Sequence, residues 1–314
     1  MERRRLGATA IEVSRIVLGC GNFGGIGSAP ELFGHGETEE EAFRIMDAAW
    51  ERGITMFDTA DAYGGGASEE AIGNWMRSRG HRPGITTKTF NPMRAGADSG
   101  LSRTRITRQL ESSLERLGVD SVPIYLAHEF DLETPLEETV ATFEGLLQMG
   151  LIGVWGVSNF DADQLRRTLE IGRPGVVQNS YSLLERGDEE ELLDLCAERG
   201  IAYTPFSPLA GGWLTAKYKR DQAPPAGSRM DLRPGPYEHL RSGSTFDALD
   251  RFAEAAANRG TDSAALAIAW LLAQPQVTAV VIGPRRPEHL DPALRALELE
   301  LSRGDADELA ALFE

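Results

Sequence analysis

Residues 55–88 read TMFDTADAYGGGASEEAIGNWMRSRGHRPGITTK. A short apolar run, Thr55–Phe57, ends on an acid, Asp58, and a glycine-rich loop then opens into an amphipathic stretch of helical period near Ser68–Ser78. Gly80 supplies a left-handed stop. A second apolar run, Ile85–Thr87, ends on Lys88. This is a strand, a helix and a strand, and the unit recurs along the chain. The apolar runs that read as strands are Ile16–Leu18, Thr55–Phe57, Ile85–Thr87, Pro123–Ala127, Gly153–Val157, Val176–Gln178, Ala202–Pro205 and Ala279–Ile282. Between them, helices are predicted near Arg105–Leu117, Leu136–Met149, Ala162–Leu169 and Glu189–Glu198. Thr38-Glu-Glu-Glu has the spacing of a capping box for an earlier helix. Eight strands alternating with helices fit a (β/α)8 TIM barrel, although a doubly wound sheet has the same periodicity.

Outward from that core, RRRLGATAIEVSR (residues 3–15) reads as a short N-terminal β-hairpin. A Pro/Gly-rich stretch from about Lys219 to Ser244 makes one long loop after the seventh strand, and loops of that length tend to be functional or disordered. Too little chain follows it to fold alone, so residues 1–314 are expected to form a single domain. Charge and composition narrow the partners. Forty-eight acidic against 32 basic residues give a net charge of -16, which offers no general attraction for nucleic acid or anionic lipid. Only three residues are lysines, Lys88, Lys217 and Lys219, so a lysine closing an apolar strand stands out. Cys20 and Cys196 match no metal-ligand spacing. No apolar leader or run of about 18 apolar residues occurs, so a cytoplasmic protein is expected, with a monomer favoured.

In an α/β barrel the carboxyl ends of the strands converge on one face. Asp58, Lys88 and His128 close the second, third and fourth strands and should meet there. Each alone has a structural alternative: a loop-capping acid, a snorkelling lysine, a hydrogen-bonded rim histidine. Tyr63, five residues beyond Asp58, can reach back over the same mouth. A free tyrosine has a pKa near about 10, and an adjacent ammonium favours its phenolate. Tyr63 would then be a general acid, Lys88 its electrostatic partner, Asp58 the group that orients Lys88, and His128 a donor to a substrate oxygen.

The segments MFDTADAYGGGASEEAIG, TKTFNPM, SLERLGVDSVPIYLAHEFD and GVWGVSNF resemble the aldo-keto reductases, and the resemblance runs from about Arg4 through the final helix. It implies a barrel enzyme that reduces aldehydes or ketones, or oxidises the corresponding alcohols, with NAD(P)H lying across the barrel mouth. It places the four catalytic types on Asp58, Tyr63, Lys88 and His128. It further implies that Ser158, Asn159 and Gln178 hold the nicotinamide carboxamide and that Phe206 stacks on the ring. Ser207, Leu209 and Gly211 would line the pyrophosphate, with Gly21 and Asn22 beside the coenzyme. Gly283, Arg285, Arg286 and His289 fall in the adenosine-phosphate segment. An arginine there suits a 2'-phosphate, so NADP(H) is favoured and NAD(H) possible. The chain departs from the family at His289, where a glutamine is common, and at Ala293, where an asparagine usually meets the adenine.

Gly19-Cys20-Gly21-Asn22-Phe23-Gly24 has the form GxGxxG, but the GIGSAPELFGHG that follows is too rich in Gly and Pro to open the helix a Rossmann turn requires. A metal-dependent hydrolase is the competing enzyme class. With histidines only at 35, 81, 128, 239 and 289, and no paired His motif, no metal site is expected. The competing non-enzymatic reading is a coenzyme-binding sensor or regulatory subunit with little turnover. Substrate identity rests on Phe23, Phe90, Asn91, Trp213 and the long loop, none of which names a molecule.

Overall fold

The computed structural model describes residues 1–314. Two three-residue strands, β1 (Arg3–Arg5) and β2 (Glu12–Ser14), pair antiparallel as the predicted hairpin. Eight parallel strands follow: β3 (Ile16–Gly19), β4 (Met56–Asp58), β5 (Gly84–Thr89), β6 (Val122–Ala127), β7 (Ile152–Ser158), β8 (Val176–Gln178), β9 (Ala202–Tyr203) and β10 (Val280–Ile282). They run in the order β10-β3-β4-β5-β6-β7-β8-β9. The edges meet through Thr278 N–H to Tyr203 O (2.8 Å) and Val281 N–H to Pro205 O (2.9 Å), which curls the sheet into the TIM barrel. β9 is shorter than its apolar run because Pro205 has no N–H to give to a ladder.

Alternation along the strands sorts the side chains. Val17, Met56, Ile124, Leu126, Val154, Val176, Ala202 and Val281 fill the barrel, and Leu6 and Val13 of the hairpin join the same cluster at one end. The other parity, with Phe57, Tyr125, Trp155 and Tyr203, faces the helices in the larger core. Period two then fixes the functional face: Asp58 follows Met56 inward, Lys88 follows Thr86, His128 follows Leu126, and Gln178 follows Val176. Gly156 is required by closure, since a Cβ there would lie 2.2 Å from Val176 O on the next strand.

The helices match their sequence signals. Thr38 and Glu41 make the reciprocal capping box of the Glu39–Glu51 helix. Gly80, at φ 73°, ends the Ala67–Arg79 helix. The 219–244 stretch differs from expectation: it carries a short helix, Arg229–Leu232, and a 3-10 segment, Gly235–Leu240. Met230 and Leu240 are buried and anchor these turns to the core, which the high Pro and Gly content concealed. Two longer helices, Gly243–Asn258 and Ser263–Ala273, then precede β10. No helix is long and apolar enough to cross a membrane.

Candidate active site

β4, β5 and β6 bring Asp58, Lys88 and His128 to one mouth, all three buried. Lys88 Nζ donates to Asp58 Oδ1 (2.5 Å) and to Thr59 O (2.8 Å). Gln178 Nε2, from β8, donates to Asp58 Oδ2 (2.8 Å), so both carboxylate oxygens are engaged. Tyr63 opens the short 3-10 turn Tyr63–Gly66. Its ring stands edge-on to His128, with centroids 5.6 Å apart, and Lys88 Nζ lies 5.1 Å from its centroid. The four sequence candidates are therefore in one place. The Tyr63 hydroxyl has the Lys88 ammonium as its hydrogen-bonding neighbour.

Electrostatics separate their states. Burial pushes the Tyr63 phenol up, and the nearby Lys88 charge opposes this without overcoming it. Lys88 favours the phenolate, as the sequence suggests, but desolvation is the larger effect and Tyr63 is held in its protonated form. Burial by itself would depress Lys88, but the Asp58 charge, with hydrogen bonds to Asp58 and to the Tyr63 hydroxyl, outweighs it and keeps the ammonium charged. His128 is held well below the ordinary histidine range by burial and by Lys88, so its ring is neutral. Asn91 Nδ2 lies 3.4 Å from His128 Nδ1. An amide nitrogen can only donate, so this contact leaves the ring proton on Nε2, available as a donor.

The residues assigned to the nicotinamide form one hydrogen-bonded row. Ser158 Oγ donates to Gln178 O (2.6 Å). Asn159 Nδ2 donates to His128 O (2.9 Å) and Glu129 Oε1 (3.1 Å). Gly21 lies against Tyr63, where a Cβ would come within 3.4 Å of the ring. Phe206 is half-buried and packs on the barrel-interior cluster. Asn159, Ser207 and Ala210 all take left-handed backbone, at φ 58°, 56° and 45°. Such residues cost of order 1–3 kcal/mol each and gather where a ligand shapes the chain.

The GxGxxG segment opens no helix; the next regular element is the 3-10 turn Pro30–Leu32. Instead its Asn22 accepts from Arg229 Nη2 (2.9 Å). Leu209 immediately precedes the turn Ala210–Thr215, in which Gly211 lies under Tyr237. Tyr237 in turn is 3.3 Å from Ser207 Oγ. Gly283 leaves open space, its nearest neighbour being Asn22 Nδ2, 3.9 Å from where a Cβ would sit. Beyond β10, Arg285 Nε pairs with the buried Glu37 (2.6 Å) and its Nη1 donates to Gly227 O (2.6 Å). Much of the Arg285 fork is thus already used. His289 Nδ1 accepts from the Arg285 N–H (3.2 Å). Arg286 is exposed and has no ion pair.

Sequence reasoning missed Lys217 and Arg229. Both are held below their usual range, first by burial, and then by the other basic residues around them, Arg285 among them. In a chain of net charge -16, this gathering of like charges fits a bound phosphate or pyrophosphate. Lys217 had a signal, as one of three lysines and next to a glycine turn. Arg229 had none, since its reach to Asn22 spans 207 residues. No group of three or more His, Cys, Asp or Glu side chains is arranged to hold a metal ion.

Residues 15–314 match the Aldo/keto reductase family. An uncharacterized oxidoreductase, YrpG, of Bacillus subtilis (strain 168) is 36% identical, covering 96% of this chain and 93% of its own. The NADH-specific methylglyoxal reductase of Escherichia coli (strain K12) is 31% identical, covering 98% and 96%. The solved glycerol dehydrogenase of Gluconobacter oxydans superposes with a TM-score of 0.85 at 25% identity, covering 99% of this chain and 94% of that one. The eight-stranded barrel, its N-terminal hairpin and the match over nearly the whole length lead to one conclusion: this chain is an oxidoreductase of the Aldo/keto reductase family.

Proposed function

We propose that this protein reduces small aldehydes or ketones to alcohols, and runs the reverse oxidation, with Tyr63 as the general acid and base. The carrying observation is the buried Asp58–Lys88 pair set against Tyr63, with the Lys88 ammonium 5.1 Å from the ring centroid. A nicotinamide coenzyme, when bound along Asn22, Ser158, Asn159, Gln178 and Phe206, supplies the hydride. Everything else belongs to the chain. His128 Nε2–H and the Tyr63 O–H converge on the carbonyl oxygen, and as negative charge builds there Tyr63 gives up its proton. Lys88 stabilises the phenolate left behind, and Asp58 keeps Lys88 charged and aimed. Tyr63 is protonated at neutral pH, so the acid is loaded for reduction, and the Lys88 charge eases the loss of its proton.

Residues 1–314 would act as one catalytic unit, a cytoplasmic monomer, on a small-molecule carbonyl or alcohol. Lys217, Arg229 and Arg286 support NADP(H) as the preferred coenzyme, with NAD(H) usable, although the similar E. coli protein is named for NADH. The test is reduced-coenzyme oxidation with a panel of small aldehydes and ketones, alongside coenzyme binding followed by tryptophan fluorescence. Tyr63→Phe should cut turnover by about 10²–10⁴-fold while coenzyme binding persists. Coenzyme binding without turnover in the unsubstituted protein would instead select a sensor role.

A further inference from the structure

Behind the proposed catalytic residues lies a second buried polar layer that the chemistry above leaves unused. Asp61 belongs to the short segment joining Asp58 to Tyr63, and its side chain is completely buried. Its backbone N–H donates to Lys88 O (3.0 Å). Its Oδ2 accepts from Thr89 Oγ1 (2.7 Å), and that same Thr89 oxygen accepts from Arg105 Nη1 (2.7 Å). A hydroxyl has one proton, so the bridge has a fixed sense: Arg105 donates to Thr89, and Thr89 donates to Asp61. Arg105 Nη2 stands 3.9 Å from Asp61 Oδ2 and donates to Asn91 O (2.6 Å).

This chain of contacts ends at both sides of the catalytic mouth. Asn91 faces His128 Nδ1 through its side chain, and the His128 N–H donates to Thr89 O (3.0 Å). At the other end, Asp61 sits two residues from Tyr63. Its Oδ1 is buried without any hydrogen-bond partner. A buried carboxylate missing one partner is a costly feature to keep for packing alone.

We propose that Asp61 is a positioning residue for this site: through Thr89 and Arg105 it fastens the Tyr63 segment to the His128 strand end, and it does so fully only when ionised. The proposal rests on the catalytic reading of Tyr63 and His128. The charged and titratable groups facing Asp61 are Glu69 from the Ala67–Arg79 helix, Arg105 and Arg116 from the Arg103–Leu117 helix, and Tyr125 from β6. Burial first, and then the Glu69 charge, push the Asp61 carboxyl up to about 7, against the pull of Thr89 and the two arginines. As pH falls through that value Asp61 takes up a proton, its attraction for Arg105 is lost, and the hold on Asn91 and His128 slackens. Turnover then declines on the acid side. A general acid such as Tyr63 would produce no such decline, because it stays protonated there.

The experiment is the pH profile of kcat for a neutral aldehyde, with coenzyme affinity measured in parallel, for the unsubstituted enzyme, Asp61→Asn and Thr89→Val. Asn keeps an oxygen for the Thr89 hydroxyl but removes the charge, and Val keeps the Thr89 shape but removes the bridge. The unsubstituted enzyme should lose activity about five-fold or more from pH 8 to pH 5.5. Asp61→Asn should be flat over that range and remain at the low acid level, with coenzyme affinity changed by less than about two-fold. Thr89→Val should lose about ten-fold in kcat at pH 8, again without a change in coenzyme affinity. An acid limb that survives in Asp61→Asn overturns the proposal, and so does a Thr89→Val enzyme with unchanged kcat, which settles the matter even if Asp61→Asn fails to fold. An unsubstituted enzyme that binds coenzyme but turns over no carbonyl overturns the catalytic reading itself, and is recognised before any variant is compared.

Discussion

Gln178 donates to Asp58 Oδ2 at 2.8 Å across the barrel, joining β8 to β4, while Lys88 takes the other oxygen of the same carboxylate. Asp58 is therefore the junction of the site rather than a simple counter-ion. Gln178 spends its amide N–H on Asp58, which leaves its Oε1 as the atom free to accept from a carboxamide. The family resemblance assigns Gln178 to the coenzyme alone. Its place in the row of inward residues makes both contacts possible from one side chain.

Removing the acid should strand the ammonium. Lys88 is 1% exposed, and deleting one member of a buried ion pair costs about 3–5 kcal/mol because the other charge stays desolvated. Asp58→Asn is expected to lower the urea unfolding free energy at pH 7 by about that amount and to abolish measurable reduction. A loss below about 1 kcal/mol would mean that water reaches Lys88.

The coenzyme prediction concerns Arg286, whose guanidinium is exposed and without an ion pair, whereas Arg285 is held by Glu37. Arg286→Ala should weaken binding of the 2'-phosphorylated coenzyme by about ten-fold and leave the unphosphorylated one within about two-fold, as loss of one charge-assisted contact implies. Fluorescence titration of the two oxidised coenzymes measures both. Equal losses for the two would place Arg286 at the pyrophosphate instead.

Glu129 offers a stability test independent of turnover. Burial pushes its carboxyl up to about 7, with no basic partner to offset it. A carboxyl raised in the folded state contributes stability that is complete below the unfolded pKa and is lost as pH rises through 7. Glu129→Gln should thus stabilise the protein at pH 8 by about 1 kcal/mol, after discounting for the solvent that still reaches it, and have little effect at pH 4. Urea unfolding of the pair at both pH values is the measurement.

How much of this was legible in the sequence follows from the range of the interactions. Strand identity and the inward parity of Asp58, Lys88 and His128 are local, carried by period two in short apolar runs, and all eight runs are strands of the barrel. Capping signals were equally local: Thr38 and Glu41 are three residues apart. The helices inside 219–244 were hidden because burial of Met230 and Leu240, not helix propensity, holds them. The Arg285–Glu37 pair was hidden because its partners lie 248 residues apart, and no spacing rule reaches that far. The same holds for the direction of the Tyr63 shift. The sequence names the neighbouring lysine, whereas only the fold says how completely the phenol is desolvated.

His128 carries the last prediction, and its sign is opposite to that of Glu129. Burial and Lys88 hold its imidazole well below the ordinary value, so the folded protein resists protonation there while the unfolded chain accepts a proton near pH 6.5. The contribution of His128 is present above that pH and is lost as the solution is acidified, by up to about 2 kcal/mol at pH 5. Asp61 and Glu129 run the other way, since their raised carboxyls favour the folded state more strongly in acid. Total stability therefore mixes both signs, and only a difference isolates the histidine. Between pH 7.5 and pH 5, His128→Gln should lose about 1–2 kcal/mol less than the unsubstituted protein in urea unfolding. Parallel losses would show that the ring is already protonated or already wet, and would remove the neutral Nε2–H donor on which the proposed substrate contact depends.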